Sequence, residues 1–258
     1  STSYNNDGDF DNLNNVEIYK IKGVHPSGNE SFQINKIDPL NFGEIVWVIK
    51  PEDLANIGAF FKTGIFSSKR TVAISGDALK SPQYFETVIG CSISSLIDSK
   101  EFDNANDYRF INGDPLTGAK VEYSKFLGFY NNTVSVIKEG NDYRMLGWLP
   151  FMYNSVPSLS KTSFSWLLGG AKKVNTNLNG EERAIVVTGE MEKYFPMDIY
   201  PMQLIKACMR GDIEKMESLG IYEVVPEDFG LVDFSCTSKI EAQEIIKNGI
   251  EIMLKEVG

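Results

Sequence analysis

At 258 residues, with 42% of them hydrophobic and 12% aromatic, the chain has the apolar content to bury about two domain cores, so wholesale disorder is excluded. A net charge of -10 argues against nucleic acid and anionic lipid, both of which need a surplus of Lys and Arg on one face. No run approaches the ~18 apolar residues of a membrane span, and the first fifteen residues contain no leader-like apolar stretch.

Residues 1–15, rich in Ser, Asn and Asp, read as a disordered tail. Within 16–66, residues 16–22 (VEIYKIK) alternate like a strand and lead into the loop Gly23-Val24-His25-Pro26-Ser27-Gly28. Residues 44–50 (EIVWVIK) form a second apolar, β-branched run. A helix is then predicted, with Pro51 in its first turn, Glu52 and Asp53 matching the dipole, Leu54, Ile57 and Phe61 on one face, and Gly64 as its stop. This is an α/β pattern with too few strands for a complete domain, and it reads as the end of a Rossmann-like sheet.

Residues 67–155 are mostly β. Strands are predicted at 71–75, 84–89, 108–112, 133–138 and 143–149, with one short helix at 92–99. Several short strands around one helix suggest a β-grasp unit. Residues 156–258 read as mainly helical. They begin with an apolar stripe at Phe164, Leu167, Leu168 and Ala171, followed by a hairpin turning at Asn179-Gly180 with a return strand at 184–188. Pro201 opens a helix that ends at Gly211, and Asp212 caps another that ends at Gly220. The last helix carries a capping box, Ser238 with Glu241, and an apolar face of Ile246, Ile250, Met253 and Val257. The expected fold class is therefore α+β and multi-domain: a partial Rossmann-like α/β segment, a β-grasp domain and a mainly helical carboxy-terminal domain.

Chemistry is sparse. His25 is the only histidine, which excludes Ser-His-Asp, Cys-His and multi-histidine metal sites. Its loop offers Gly23, His25, Pro26 and Gly28 for contact with a ligand, but a turn residue is the favoured reading of His25. The loop lacks the three-glycine dinucleotide fingerprint and a following helix start. A second glycine-bounded loop, Gly113, Asp114, Pro115, Leu116, Thr117 and Gly118, reads either as a tight turn pair or as a contact loop. Cys91, Cys208 and Cys236 are scattered and without a CxxC pair, so neither a disulfide framework nor a cysteine-ligated cluster is supported. Cys208 reads as helix core. Cys236 sits before a helix with Lys239 as its one cationic neighbour. The acidic pairs Glu181/Glu182 and Glu227/Asp228 read as solvated surface charges.

The stretch Ile74-Ser75-Gly76-Asp77, Pro82, Tyr84-Phe85-Glu86, Ile89-Gly90-Cys91-Ser92-Ile93 and Leu96-Ile97 resembles the soluble-ligand-binding β-grasp (SLBB) domain. From about residue 16 onward the chain is similar to the A-subunit family of the sodium-translocating NADH:quinone oxidoreductase (Nqr) complexes. That resemblance is carried by residues 23–28, 47–64 and 90–96, Leu116-Thr117-Gly118, Phe126-Leu127-Gly128, Val134-Ser135-Val136, Gly147-Trp148, Thr176 to Gly180 and Phe195 to Ile199. It implies the carboxy-terminal part of a longer subunit. It also relates the chain to the cluster-bearing C subunit of the Rnf complex, whose cysteine motifs precede segments like Pro196-Met197 and Ser238-Lys239-Ile240. Here Glu192, Lys193, Tyr194 and Phe195 stand before Pro196, and only Cys236 remains of the second motif. One thiolate cannot hold a four-iron cluster. The Gly113–Gly118 loop matches a glycine-rich loop of that relative.

The resemblance implies a peripheral subunit on the cytoplasmic side of the bacterial inner membrane, with the other Nqr subunits as partners and no catalytic or metal-ligating residue of its own. No cofactor is expected to be held firmly by the chain. Quinone is the one small molecule the resemblance brings to it, while NADH, flavins, iron–sulfur and sodium are used by the whole complex. The alternative is a free-standing β-grasp module binding a small ligand or saccharide.

Overall fold

The computed structural model describes residues 14–98, 102, 104–140 and 173–257. The chain is α+β and divides into two compact units, one made of residues 1–48, 186–233 and 241–258, the other of residues 49–185 and 234–240.

The second unit is built on a five-stranded sheet. Strands β1 (Lys69–Ser75), β2 (Gln83–Val88), β3 (Tyr108–Asn112), β4 (Ala119–Val121) and β5 (Thr133–Lys138) lie in the order β2-β1-β5-β3-β4. The β1–β5 pair is parallel and the other pairs are antiparallel. With the short helix α3 (Ile93–Leu96) between β2 and β3, this is the β-grasp arrangement. Period-two alternation puts Val72 and Ile74 of β1 and Val134 and Val136 of β5 into a core with Ile93, Leu96, Phe110 and Leu127. Gly76 is required where β1 ends: its φ is +125°, and a Cβ there would lie 2.0 Å from the Val136 carbonyl oxygen.

The helical unit packs α4 (Pro201–Arg210), α5 (Ile213–Ser218) and α7 (Ala242–Val257) around Met202, Leu204, Ile205, Met216, Phe229 and Ile246. Pro201 opens α4 and Gly211 closes it in the left-handed region, and Asp212 accepts a hydrogen bond from the Lys215 amide at the start of α5. A further short helix, α6, spans Gly230–Ser235. On α7 the buried positions are Ala242, Ile246, Gly249 and Met253, while Ile250 is only partly buried. Gly249 permits the close crossing of α4 and α7, since a Cβ there would lie 2.5 Å from Cys208 Sγ.

Four expectations change. Residues 16–22 and 44–50 are not strands, because neither finds a ladder partner among the described residues and strands exist only as pairs. A helix, α1 (Glu30–Ile37), instead follows the first glycine loop, with Asn29 as its N-cap residue. No return strand forms at 184–188: the Arg183 amide donates to the Ser238 carbonyl, and Ser238 Oγ donates to the Ala184 carbonyl. The Ser238–Glu241 capping box is likewise not made. Asp233 caps α7, accepting from the Ala242 amide at 2.6 Å and the Gln243 amide at 3.4 Å. The helix α2 (Pro51–Thr63) is present as expected, ended by Gly64 in the left-handed region. The expected strand at 143–149 and the apolar stripe at 164–171 lie outside the described residues.

Candidate functional site

The sequence nominated two loops, and they fall in separate units. In the first, Gly23 to Gly28, the Ser27 amide donates to the Val24 carbonyl and the Asn29 amide to the Pro26 carbonyl, so consecutive turns feed α1. The loop does lead into a helix start, contrary to the sequence reading. His25 is exposed, and the His25–Pro26 peptide bond is cis. The contact at the start of α1 comes from a residue that the sequence reading placed in solvent. Asp228, nearly fully buried, accepts from Asn29 Nδ2 at 3.2 Å, Ser31 Oγ at 2.5 Å and the Val225 amide at 3.0 Å. Asn35 Nδ2 adds a bond to Glu223 Oε2 at 2.6 Å. Asp228 therefore holds α1 and its loop in place, and Glu227/Asp228 is not a solvated pair.

In the second loop the carboxylate of Asp114 is spent locally. Its Oδ1 accepts from the Leu116 amide at 2.8 Å and the Thr117 amide at 3.1 Å, and its Oδ2 accepts from Thr117 Oγ1 at 2.5 Å. The Gly118 amide donates to the Asp114 carbonyl, and Ser135 Oγ donates to the Gly113 carbonyl. A Cβ on Gly118 would lie 2.5 Å from Ile111 Cγ2 and 2.6 Å from the Asp114 carbonyl oxygen. The result is a preformed loop whose acid is engaged in shaping it, with Pro115 at its exposed tip. Such a loop suits contact by shape and backbone; it supplies no free acid or base.

Two charge networks near this sheet were not singled out in the sequence. Arg70 is buried, pairs with Asp53 Oδ1 at 2.7 Å and donates to the Phe129 carbonyl at 2.6 Å. Its position was legible: it shares the inward parity of Val72 and Ile74 on β1. Glu139 accepts from Arg109 Nε at 3.0 Å and Arg109 Nη2 at 2.5 Å, from Thr176 Oγ1 at 2.7 Å, and lies 3.7 Å from Lys120 Nζ. The Arg109 hydrogen bonds hold its carboxyl below the usual range, against partial burial and with help from Thr176 and Lys120.

Each of the three cysteines is buried with a free thiol. Burial pushes the Cys208 thiol up to about 11, so it is core and not a nucleophile at neutral pH. Lys239, near Cys236, is itself partly buried, and burial lowers its pKa, countered in part by Cys236. Among the described residues no group of three or more His, Cys, Asp or Glu is arranged to hold a metal ion, and no helix is long and apolar enough to cross a membrane.

The family model described as "NqrA second alpha/beta domain" matches residues 2–66, and the model described as "NQRA C-terminal domain" matches residues 71–123. Two stretches of the chain are thus similar to NqrA domains. Its similarity continues beyond them. It is 32% identical over 247 residues to the A subunit of the Na(+)-translocating NADH-quinone reductase of Neisseria meningitidis serogroup B, a match covering 95% of this chain and 55% of that protein. The A subunit from Pasteurella multocida is 34% identical over 248 residues, covering 94% of this chain and 54% of that protein. That of Rhodopirellula baltica is 33% identical over 248 residues, covering 93% and 53%. The chain thus spans about half the length of the curated relatives it matches.

Proposed function

We propose that this chain acts as a peripheral component of a sodium-translocating NADH:quinone oxidoreductase, serving assembly and quinone contact while NADH oxidation and electron transfer run on other subunits. The observation that carries this reading is similarity to the NqrA proteins along nearly the whole chain, through the β-grasp sheet and the helical unit alike. The continuity weighs against a free-standing β-grasp module, which would leave the flanking regions without a counterpart. Partners are the membrane-embedded Nqr subunits, and the place of work is the cytoplasmic face of the inner membrane.

The Gly113–Gly118 loop suits a contact role because its form is set internally before any partner arrives, which lowers the entropy cost of docking. The Gly23–Gly28 loop, held through α1 by Asp228, is the second proposed contact. Quinone binding is tested by titrating a short-chain ubiquinone into the chain and following tryptophan emission from Trp47, Trp148 and Trp166. Saturable quenching that Gly118→Val removes supports a site at the second loop. A linear, unsaturable response contradicts quinone contact by this chain.

A further inference from the structure

The sequence holds three Asn-Gly pairs, Asn112-Gly113, Asn179-Gly180 and Asn248-Gly249. At such a pair the glycine amide nitrogen can attack the asparagine carboxamide, because no Cβ on the following residue stands in the way. The attack needs a nitrogen that is not tied into a hydrogen bond and a peptide free to turn toward the side chain. The fold withholds both at two of the pairs. The Gly113 amide donates to the Thr133 carbonyl at 2.8 Å, at the end of β3. Gly249 lies inside α7, its peptide fixed by the helix and packed against Cys208, where an added Cβ would stand 2.5 Å from Sγ. The third pair is different. Neither Asn179 nor Gly180 lies in a helix or strand, Gly180 is exposed, and its amide has no acceptor among the described residues. Asn179 sits in the left-handed region with φ of 53°, and its Nδ2 donates to the Asn177 carbonyl at 3.0 Å, which holds the carboxamide against its own turn.

We propose that Asn179 is a site of spontaneous deamidation, and that the carboxylate formed there becomes the counter-ion of Lys239. The Gly180 nitrogen bonds to Asn179 Cγ as the bond from Cγ to Nδ2 breaks. The amide proton leaves with Nδ2 as ammonia, and a cyclic imide remains. Water then opens the imide at either carbonyl, giving aspartate or isoaspartate at 179, and nothing is oxidised or reduced. The choice of counter-ion follows from what surrounds the turn. The Lys239 stem runs along Gly180, its Cε 3.2 Å from where a Cβ on that residue would stand. The two segments are held together nearby, by the Arg183 amide on the Ser238 carbonyl and by Ser238 Oγ on the Ala184 carbonyl. Lys239 is partly buried, and its ammonium has no carboxylate partner among the described residues. Burial holds its pKa below the usual lysine range, so a carboxylate arising in this turn supplies the charge that the cation lacks. This chemistry goes beyond the reading of the chain as an Nqr component and does not depend on it.

The test holds the folded chain in mildly alkaline buffer, samples it over time and maps it by peptide mass spectrometry with electron-transfer fragmentation, which separates aspartate from isoaspartate. Asn179 should gain the mass of an NH2-to-OH exchange at least about tenfold faster than Asn112 or Asn248, because those two must first open a strand or a helix. In the urea-unfolded chain the three should convert at rates within about threefold of one another, since each is then followed by the same unprotected glycine. Equal rates in the folded chain, or the same preference for Asn179 in urea, would overturn the assignment of the site. Asn179→Asp supplies the carboxylate directly. In that variant Lys239 should react with an amine-acylating reagent at least about threefold more slowly than in the parent chain, with Lys215 unchanged, because a paired ammonium holds its proton. Unchanged labelling of Lys239 would overturn the pairing.

Discussion

Replacing Arg70 with alanine tests whether charge holds α2 to the sheet. The side chain makes two strong contacts, to Asp53 at 2.7 Å and the Phe129 carbonyl at 2.6 Å, and bonds involving a charged group contribute about 1.5–3 kcal/mol each. Two effects reduce the sum. The Asp53 and Glu52 side chains are 34% and 35% exposed, so water rehydrates them once the cation is gone. Arg70 Nε is also buried without a hydrogen-bond partner, with Glu52 Oε2 4.0 Å away, and truncation relieves that penalty of about 1 kcal/mol. A net loss of about 3 kcal/mol is expected, about a hundredfold in the local opening constant. Native-state hydrogen exchange should show the α2 amides opening about a hundredfold faster, with those of α4 and α7 unchanged. Arg70→Lys should recover part of the loss, because one point charge can still reach Asp53 but cannot fork to Phe129. A loss below about 1 kcal/mol, or equal acceleration in α2 and α4, would show that Arg70 does not hold α2 to the sheet.

Asp228→Ala should destabilise the helical unit by about 2–4 kcal/mol, because three donors lose their shared acceptor in a buried setting, and the α1 amides should exchange first; urea denaturation with exchange on 30–37 reads both. Gly118→Val should distort the 113–118 loop and cost about 2 kcal/mol or more by overpacking against Ile111, seen as a lowered thermal midpoint. The folded pKa of Glu139 is depressed, so its stabilisation is fully present above its unfolded value near 4.5 and is lost as pH falls through the folded value. Urea midpoints between pH 7 and pH 3 should therefore fall less in Glu139→Gln than in the parent chain; parallel slopes would contradict this.

Much of the β-grasp sheet was legible because its strands carry complete local signals: β3 and β5 appear at the predicted bounds, and Gly76 and Pro82 punctuate β1 and β2. The capped helices α4 and α5 were legible for the same reason, each having its start and stop residues in place. Two of the misses come from a distant partner overriding a local pattern. Ser238 could have capped α7 but bonds Ala184 instead, while Asp233, nine residues before Ala242, takes the cap. Asp228 looked like a surface charge because its donors, Asn29 and Ser31, lie some two hundred residues away in sequence. The apolar runs at 16–22 and 44–50 carry strand composition, but composition supplies no ladder partner. The two candidate loops were found by their glycines. The self-contained bonding of Asp114 follows the Asx-turn chemistry of an Asp-Pro-Leu-Thr sequence, which could have been read in advance.

Membership of an Nqr complex, as proposed above, is tested by affinity purification of the tagged chain from gently solubilised membranes of its source cells, with the bound proteins identified by mass spectrometry. The membrane-embedded Nqr subunits should be recovered in fixed proportion to the tagged chain. Recovery of the chain alone, with those subunits present in the same membranes and left in the unbound fraction, would contradict it.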